Sequence, residues 1–138
     1  MHRISSRAVL LSVAMLAMAA CSNNALTSTT PTPATPVIDG YTGTLTKNGA
    51  FSTRFTISTL GSVTATIVAL APNSAQILGF QLGVWNGASC TAASSNDSAT
   101  TGSSITLNAS SAGELCVRLY DVGFITDPVL YSLQITHP

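Results

Sequence analysis

From Tyr41 onward the chain alternates apolar and polar residues in short runs, broken by Gly, Asn, Asp and Pro. That period of two is the mark of half-buried strands. Tyr41 to Thr46 predicts a first strand, closed by the turn Lys47-Asn48-Gly49. Phe51, Thr53, Phe55 and Ile57 share one face of a second. Gly61 turns the chain into a third, with Val63, Ala65, Ile67 and Ala69 inward. After the break Pro72-Asn73-Ser74, the run Ile77 to Trp85 puts Leu78, Phe80, Leu82 and Val84 on one side. Gly79, Gln81, Gly83 and Trp85 fall on the other, and Asn86-Gly87 ends the strand. Ser94 to Ser103 has no apolar residue beyond Ala99 and predicts a loop. Ile105, Leu107 and Ala109 form a short strand, and Ala112-Gly113 turns into Leu115, Val117 and Leu119. Asp121 to Pro128 is a loop, and a last strand points Tyr131, Leu133 and Ile135 inward. No segment here holds a 3.6-residue period, so no long helix is expected. About seven to eight short strands at such spacing predict an all-β fold, an antiparallel β-sandwich or jelly roll over residues 41–138.

The first 20 residues follow a different pattern. His2, Arg3 and Arg7 give a positive start, and Ala8 to Ala20 is apolar apart from Ser12. A charged start, a short apolar helix and small residues before a cleavage point match an export signal. The run is about 13 residues, short of the roughly 20 that a spanning helix needs. Its end, Leu16-Ala17-Met18-Ala19-Ala20-Cys21, resembles a bacterial lipoprotein signal peptide, with Met18 where that family more often has Leu or Val. The resemblance implies cleavage before Cys21 and two or three acyl chains (palmitate-type) on it. At about 0.8 kcal/mol per buried CH₂, that number of chains holds a protein on a membrane, where one chain does not. Ser22 after the cysteine implies, by the same resemblance, the outer membrane, on its periplasmic face or at the cell surface. The alternative is an ordinary signal cut near Ala20 that leaves Cys21 as a free thiol, an uncommon state for an exported protein.

Residues 22–39 lack any apolar period, and Pro31, Pro33 and Pro36 favour extended, polyproline-like backbone. Residues 21–40 therefore read as a lipidated start and a disordered tether, whose residues 22–39 could span roughly 55 Å at most.

With residues 1–20 removed, Lys47, Arg54 and Arg118 face Asp39, Asp97, Glu114, Asp121 and Asp127, a net charge of −2. Nucleic-acid binding, which wants a basic face, is not expected. Neither is a polybasic membrane patch.

Cys90 and Cys116 are the remaining cysteines. An exported chain sees an oxidising compartment, so a disulfide between them is expected. Closing 27 residues, it is worth about 3.5 kcal/mol in the chain-entropy picture. Cys116 has opposite parity to Leu115 and Val117, which places the bridge outside the main core, tying a strand to the segment after Trp85. The alternative, free or metal-binding thiols, lacks partner ligands, and no metal or cofactor is expected.

Four segments carry a resemblance to the bacterial pre-peptidase C-terminal domain: Phe51 to Ile57, Gly61 to Ile67, Ala112 to Tyr120 and Tyr131 to Ile135. That family implies a β-sandwich, usually appended to secreted enzymes, that assists folding, export or surface attachment. This chain carries no enzyme beside it. Collagen-binding relatives hold calcium with clustered acids, whereas Asp39 stands alone here.

Catalytic chemistry has little to draw on, and no catalytic residue is expected. His137, the one histidine after position 20, is next to the last residue, a poor place for an ordered base. Asp121 and Asp127 share a Gly/Pro-containing loop, where turn formation accounts for them. Trp85, Arg118 and Tyr120 have outward parity. Gly79 and Gly83 would leave a shallow strip beside Trp85, so these residues form a candidate patch for a glycan or an envelope protein. The plainer reading is that Trp85 caps the end of the core, since single exposed aromatics are common. The function expected is a lipid-anchored, non-catalytic binding or structural module of the envelope. An accessory subunit for a separate secreted enzyme is the alternative, and a hydrolase comes third.

Overall fold

A computed structural model describes residues 35–138 of the protein. The signal segment, Cys21 and the tether up to residue 34 lie outside the described residues. Regular structure among the described residues is all β. The strands are β1 (Val37–Leu45), β2 (Ala50–Ile57), β3 (Gly61–Ala71), β4 (Leu78–Trp85), β5 (Cys90–Ala99), β6 (Ser104–Ala109), β7 (Gly113–Tyr120) and β8 (Val129–His137).

They form two four-stranded antiparallel sheets, ordered β1-β8-β3-β6 and β2-β7-β4-β5. The pairings β1 with β8, β2 with β7, β3 with β6 and β4 with β5 are nested one inside another. This is the jelly-roll arrangement, a long hairpin rolled up so that its strands divide between two layers. It follows from the alternation, because each strand has one apolar face to bury and a second sheet is the surface that accepts it. The inward residues Val63, Ile67, Phe80, Leu82, Val117, Leu119, Leu133 and Ile135 are all essentially inaccessible and make up the centre of the core.

Four expectations are corrected. Ser94 to Ser103 is not a loop: it belongs mostly to β5, which starts at Cys90 and runs to Ala99. As an edge strand, β5 is held by backbone bonds to β4 and buries only Ala99 fully, so no apolar alternation marks it. Ala69 points outward, because a bulge between Ile67 and Ala69 reverses the parity and turns Leu70 into the core. Val84, next to the last residue of β4, is 50% exposed despite its inward parity. Finally, β1 begins at Val37, so residues 37–40 are strand and not tether; they pair with the end of β8, from Val37 against His137 to Gly40 against Gln134.

That pairing also changes the reading of the chain end. His137 is the last residue of β8 and only 6% exposed. Its ring lies 5.3 Å from that of Phe55, and Nε2 is 3.2 Å from the Asp39 carboxylate. Asp39 therefore serves β1 and β8 as a cross-strand partner.

The Asp121 carboxylate organises the opposite end. Oδ1 accepts N–H bonds from Gly123, Phe124 and Ile125, and Oδ2 accepts one from Asn48 at 2.8 Å. Asn48 sits in the left-handed region at φ 57°, in the turn between β1 and β2. One side chain thus closes its own loop and pins a second one, which is the turn-forming role expected of it.

Candidate functional site

The outer face of β2-β7-β4-β5 gathers the chemistry. Register places side chains in rows across it: Ser52, Arg118 and Gln81 in one, Arg54, Cys116 and Gly83 in the next, Ala50, Tyr120 and Gly79 in a third. Both arginines of the described residues lie here, 64 positions apart in the sequence and brought together by the pairing of β2 with β7.

Cys90 and Cys116 are bonded, with Cα atoms 5.6 Å apart. Cys116 lies on β7 and Cys90 on β5, with β4 between them. Three coplanar strands would separate those Cα atoms by about 9.5 Å. The shorter distance arises because the start of β5 curls over the outer face of β4. The backbone of Thr91 and Ala92 occupies the space that a Cβ on Gly83 would fill. Gly83 is thus required by close backbone approach. The bridge lies outside the core, as Cys116's parity indicates, yet Cys116 is fully buried beneath this curl.

The expected open strip beside Trp85 does not exist. Gly79 is covered by the Tyr120 ring and Gly83 by β5. In its place is a cleft of about 340 Å³ lined by Ser52, Trp85, Ala88, Ser89, Cys90 and Arg118. The hairpin between β4 and β5 forms one wall and is internally braced. Asn86 Oδ1 accepts N–H bonds from Ala88 and Ser89, and its amide donates to Ser89 Oγ. Trp85 is half-buried outside the core cluster, with the Arg54 guanidinium 6.0 Å from its ring centroid. Trp85 Nε1 is the one covered side-chain polar atom among the described residues without a hydrogen-bond partner. Such a donor costs about 1–3 kcal/mol while it stays unpaired.

Arg118 lies 4.9 Å over the Tyr120 ring. Tyr120 Oη donates to Asp97 Oδ1 on β5 and accepts a 3.2 Å bond from Gln81 Nε2. Burial raises the Tyr120 pKa above the usual 10.0, and Asp97 raises it further through its hydrogen bond and its charge. The Gln81 bond and the Arg118 charge oppose that rise without cancelling it. Glu114, the other acid of this face, is 3.5 Å from Arg54. Among the described residues no carboxylate lies within ion-pair distance of Arg118.

The three expected patch residues are therefore brought to one face. Trp85 and Arg118 share the cleft, while Tyr120 stands beside it as a platform for Arg118. Sequence reasoning missed Arg54, Gln81 and Asp97. The parity of Arg54 and Gln81 was readable, but their neighbours depended on strand order; Asp97 lay in the segment taken for a loop. A second hollow, about 400 Å³ on the outer face of the other sheet, is framed by Thr42, Thr44, Ala69, Ala71 and Leu130. It has no charged lining residue and offers little direction to a ligand. No group of three or more metal-ligating side chains occurs among the described residues.

No family model matches the chain, and no curated protein matches it. Solved structures share its fold, among them the following two. The Yersinia pseudotuberculosis-derived mitogen superposes with a TM-score of 0.57 at 18% identity, over 75% of this chain and 88% of that one. Aeromonas hydrophila PliG, a periplasmic lysozyme inhibitor of g-type lysozyme, superposes with a TM-score of 0.53 at 14% identity, over 72% of this chain and 86% of that one. At these identities the likeness establishes the β-sandwich and nothing more.

Proposed function

We propose that the protein is a non-catalytic binding module of the bacterial envelope, held on the outer membrane through acyl chains on Cys21. It would present the outer face of β2-β7-β4-β5 to its partner. The observation that carries this reading is the braced cleft, which joins the Trp85 ring, a guanidinium without a carboxylate partner and two hydroxyls. Such donors orient a bound group but offer no general base or nucleophile–base pair. The export signal and the lipoprotein-like Cys21 support the location.

A second reading is favoured by one of the fold neighbours. PliG is a periplasmic inhibitor of g-type lysozyme, so a β-sandwich of this size can serve by binding an enzyme. On that reading the partner is a separate secreted enzyme, for which this chain is an accessory or regulatory subunit. The pre-peptidase-like segments point the same way.

Two experiments test the proposal. Cys21→Ala should move the protein from the membrane fraction to the soluble envelope fraction; a variant that stays membrane-bound removes the anchor. Crosslinking in intact cells with the wild type and Arg118→Gln should give adducts that depend on Arg118. Polysaccharide adducts support the first reading and a secreted enzyme the second. Adducts indifferent to Arg118 would sink the assignment of this face.

A further inference from the structure

The contents of the cleft suggest what it takes. The polar side chains lining it are the donor Arg118 and the hydroxyls of Ser52 and Ser89, beside the Trp85 ring. No acid lines it, and the two acids on this face are engaged elsewhere, Glu114 with Arg54 and Asp97 with Tyr120. Arg118 stacks on Tyr120 and so stays aimed across the face without being neutralised. A guanidinium held this way matches a carboxylate with two parallel bonds, a geometry that lysine cannot reproduce. The hollow lies at the small end of ligand pockets, the size of one ring and not of an extended chain.

Resting on the reading of this face as a binding surface, we propose that the Trp85–Arg118 cleft recognises a carboxylate-bearing sugar ring, a uronate or similar unit of an acidic polysaccharide. The carboxylate sits on the Arg118 fork. The ring hydroxyls exchange bonds with Ser52 and Ser89, and the ring edge packs on the disulfide and Ala88. Trp85 Nε1 is covered in the unliganded protein. The Trp85 ring nonetheless lines the cleft and senses what enters it. An acidic protein segment would satisfy the fork, but as an extended chain it outgrows a hollow of about 340 Å³, which is why the sugar ring is favoured.

The chain contains a single tryptophan, so the indole N–H gives one resolved resonance that reports on this cleft alone. The experiment titrates the mature protein in detergent with trigalacturonate, with its methyl ester and with polyglutamate, following that resonance and the binding heat. Trigalacturonate should bind saturably at millimolar concentration and move the indole signal; the ester should not. Arg118→Gln should weaken binding about tenfold or more. Arg118→Lys should restore little of it, and melting temperatures should stay near wild type. Equal binding of the ester, or full affinity in Arg118→Gln, overturns the proposal. So does polyglutamate moving the resonance where trigalacturonate does not. Should all three probes fail while crosslinking in cells still depends on Arg118, the ligand class is wrong and the binding face stands. If that dependence is also lost, both fall.

Discussion

The carbonyl oxygen of Thr91 occupies the place where a Cβ on Gly83 would stand. Backbone cannot move aside as a flexible side chain does. Gly83→Ala should therefore cost about 3 kcal/mol or more, at the upper end of overpacking penalties. Gly79→Ala meets only the Tyr120 ring, which can rotate away, so it should cost less while breaking the Tyr120–Asp97 bond. Urea unfolding of the two variants checks the order; equal losses would mean that β5 does not press on β4.

Replacing Cys90 and Cys116 together by Ser should lower stability by about 3 kcal/mol. It should also let the start of β5 lift from β4. Trp85 fluorescence should then shift toward that of a solvated indole, at denaturant concentrations where the rest of the fold persists. An unchanged emission spectrum in the folded variant would show that the curl of β5 holds without the bridge.

Asp121 links stability to pH. Slight burial pushes its pKa up, but four backbone donors, from Asn48, Ile125, Gly123 and Phe124, outweigh this and hold it below 3.8. The folded state thus binds this proton less readily than the unfolded chain. The stabilisation is present above the unfolded pKa and is lost as pH falls through the folded one. Asp121→Asn should cost about 1–2 kcal/mol at neutral pH, a value kept low because the site is near solvent. The deficit against wild type should shrink in acid. A deficit independent of pH would show that the charge plays no part.

At the other end of the scale, Tyr120 should ionise above 10.0, because burial and Asp97 both favour its neutral form. Here the folded state holds the proton more tightly, so this contribution is complete below the unfolded pKa and fades as pH rises through the folded one. Asp97→Asn should bring the Tyr120 transition down in an ultraviolet titration. Tyr131, raised by burial alone, should not respond to that change.

What could be read in the sequence was whatever buries one face. β2, β7 and β8 place Phe55, Ile57, Leu115, Val117, Leu119, Leu133 and Ile135 in the core as their alternation requires. The same parity predicted that Cys116, Arg118 and Tyr120 look the other way. β5 escaped because an edge strand is held by backbone bonds, which side-chain periodicity does not report. The bulge at Val68 reversed parity without any Gly or Pro to announce it. Asp39 and His137, 98 positions apart, meet only because β1 lies against β8. The cleft needed one further fact, that Gly83 marks where one strand lies on another and not an open groove.

The reach of the disulfide across β4 bears on how the chain is oxidised. Cys116 lies on β7 and Cys90 beyond β4, so in the folded protein the bridge spans β4 and ties the start of β5 to β7. The correct pairing is the one that the assembled sheet holds in place. With three cysteines in the chain, wrong partners compete for that bond as long as Cys21 keeps a free thiol. Acylation of Cys21, on the reading proposed above, removes the competitor and leaves one pairing, so the same modification that anchors the protein would also proofread its oxidation.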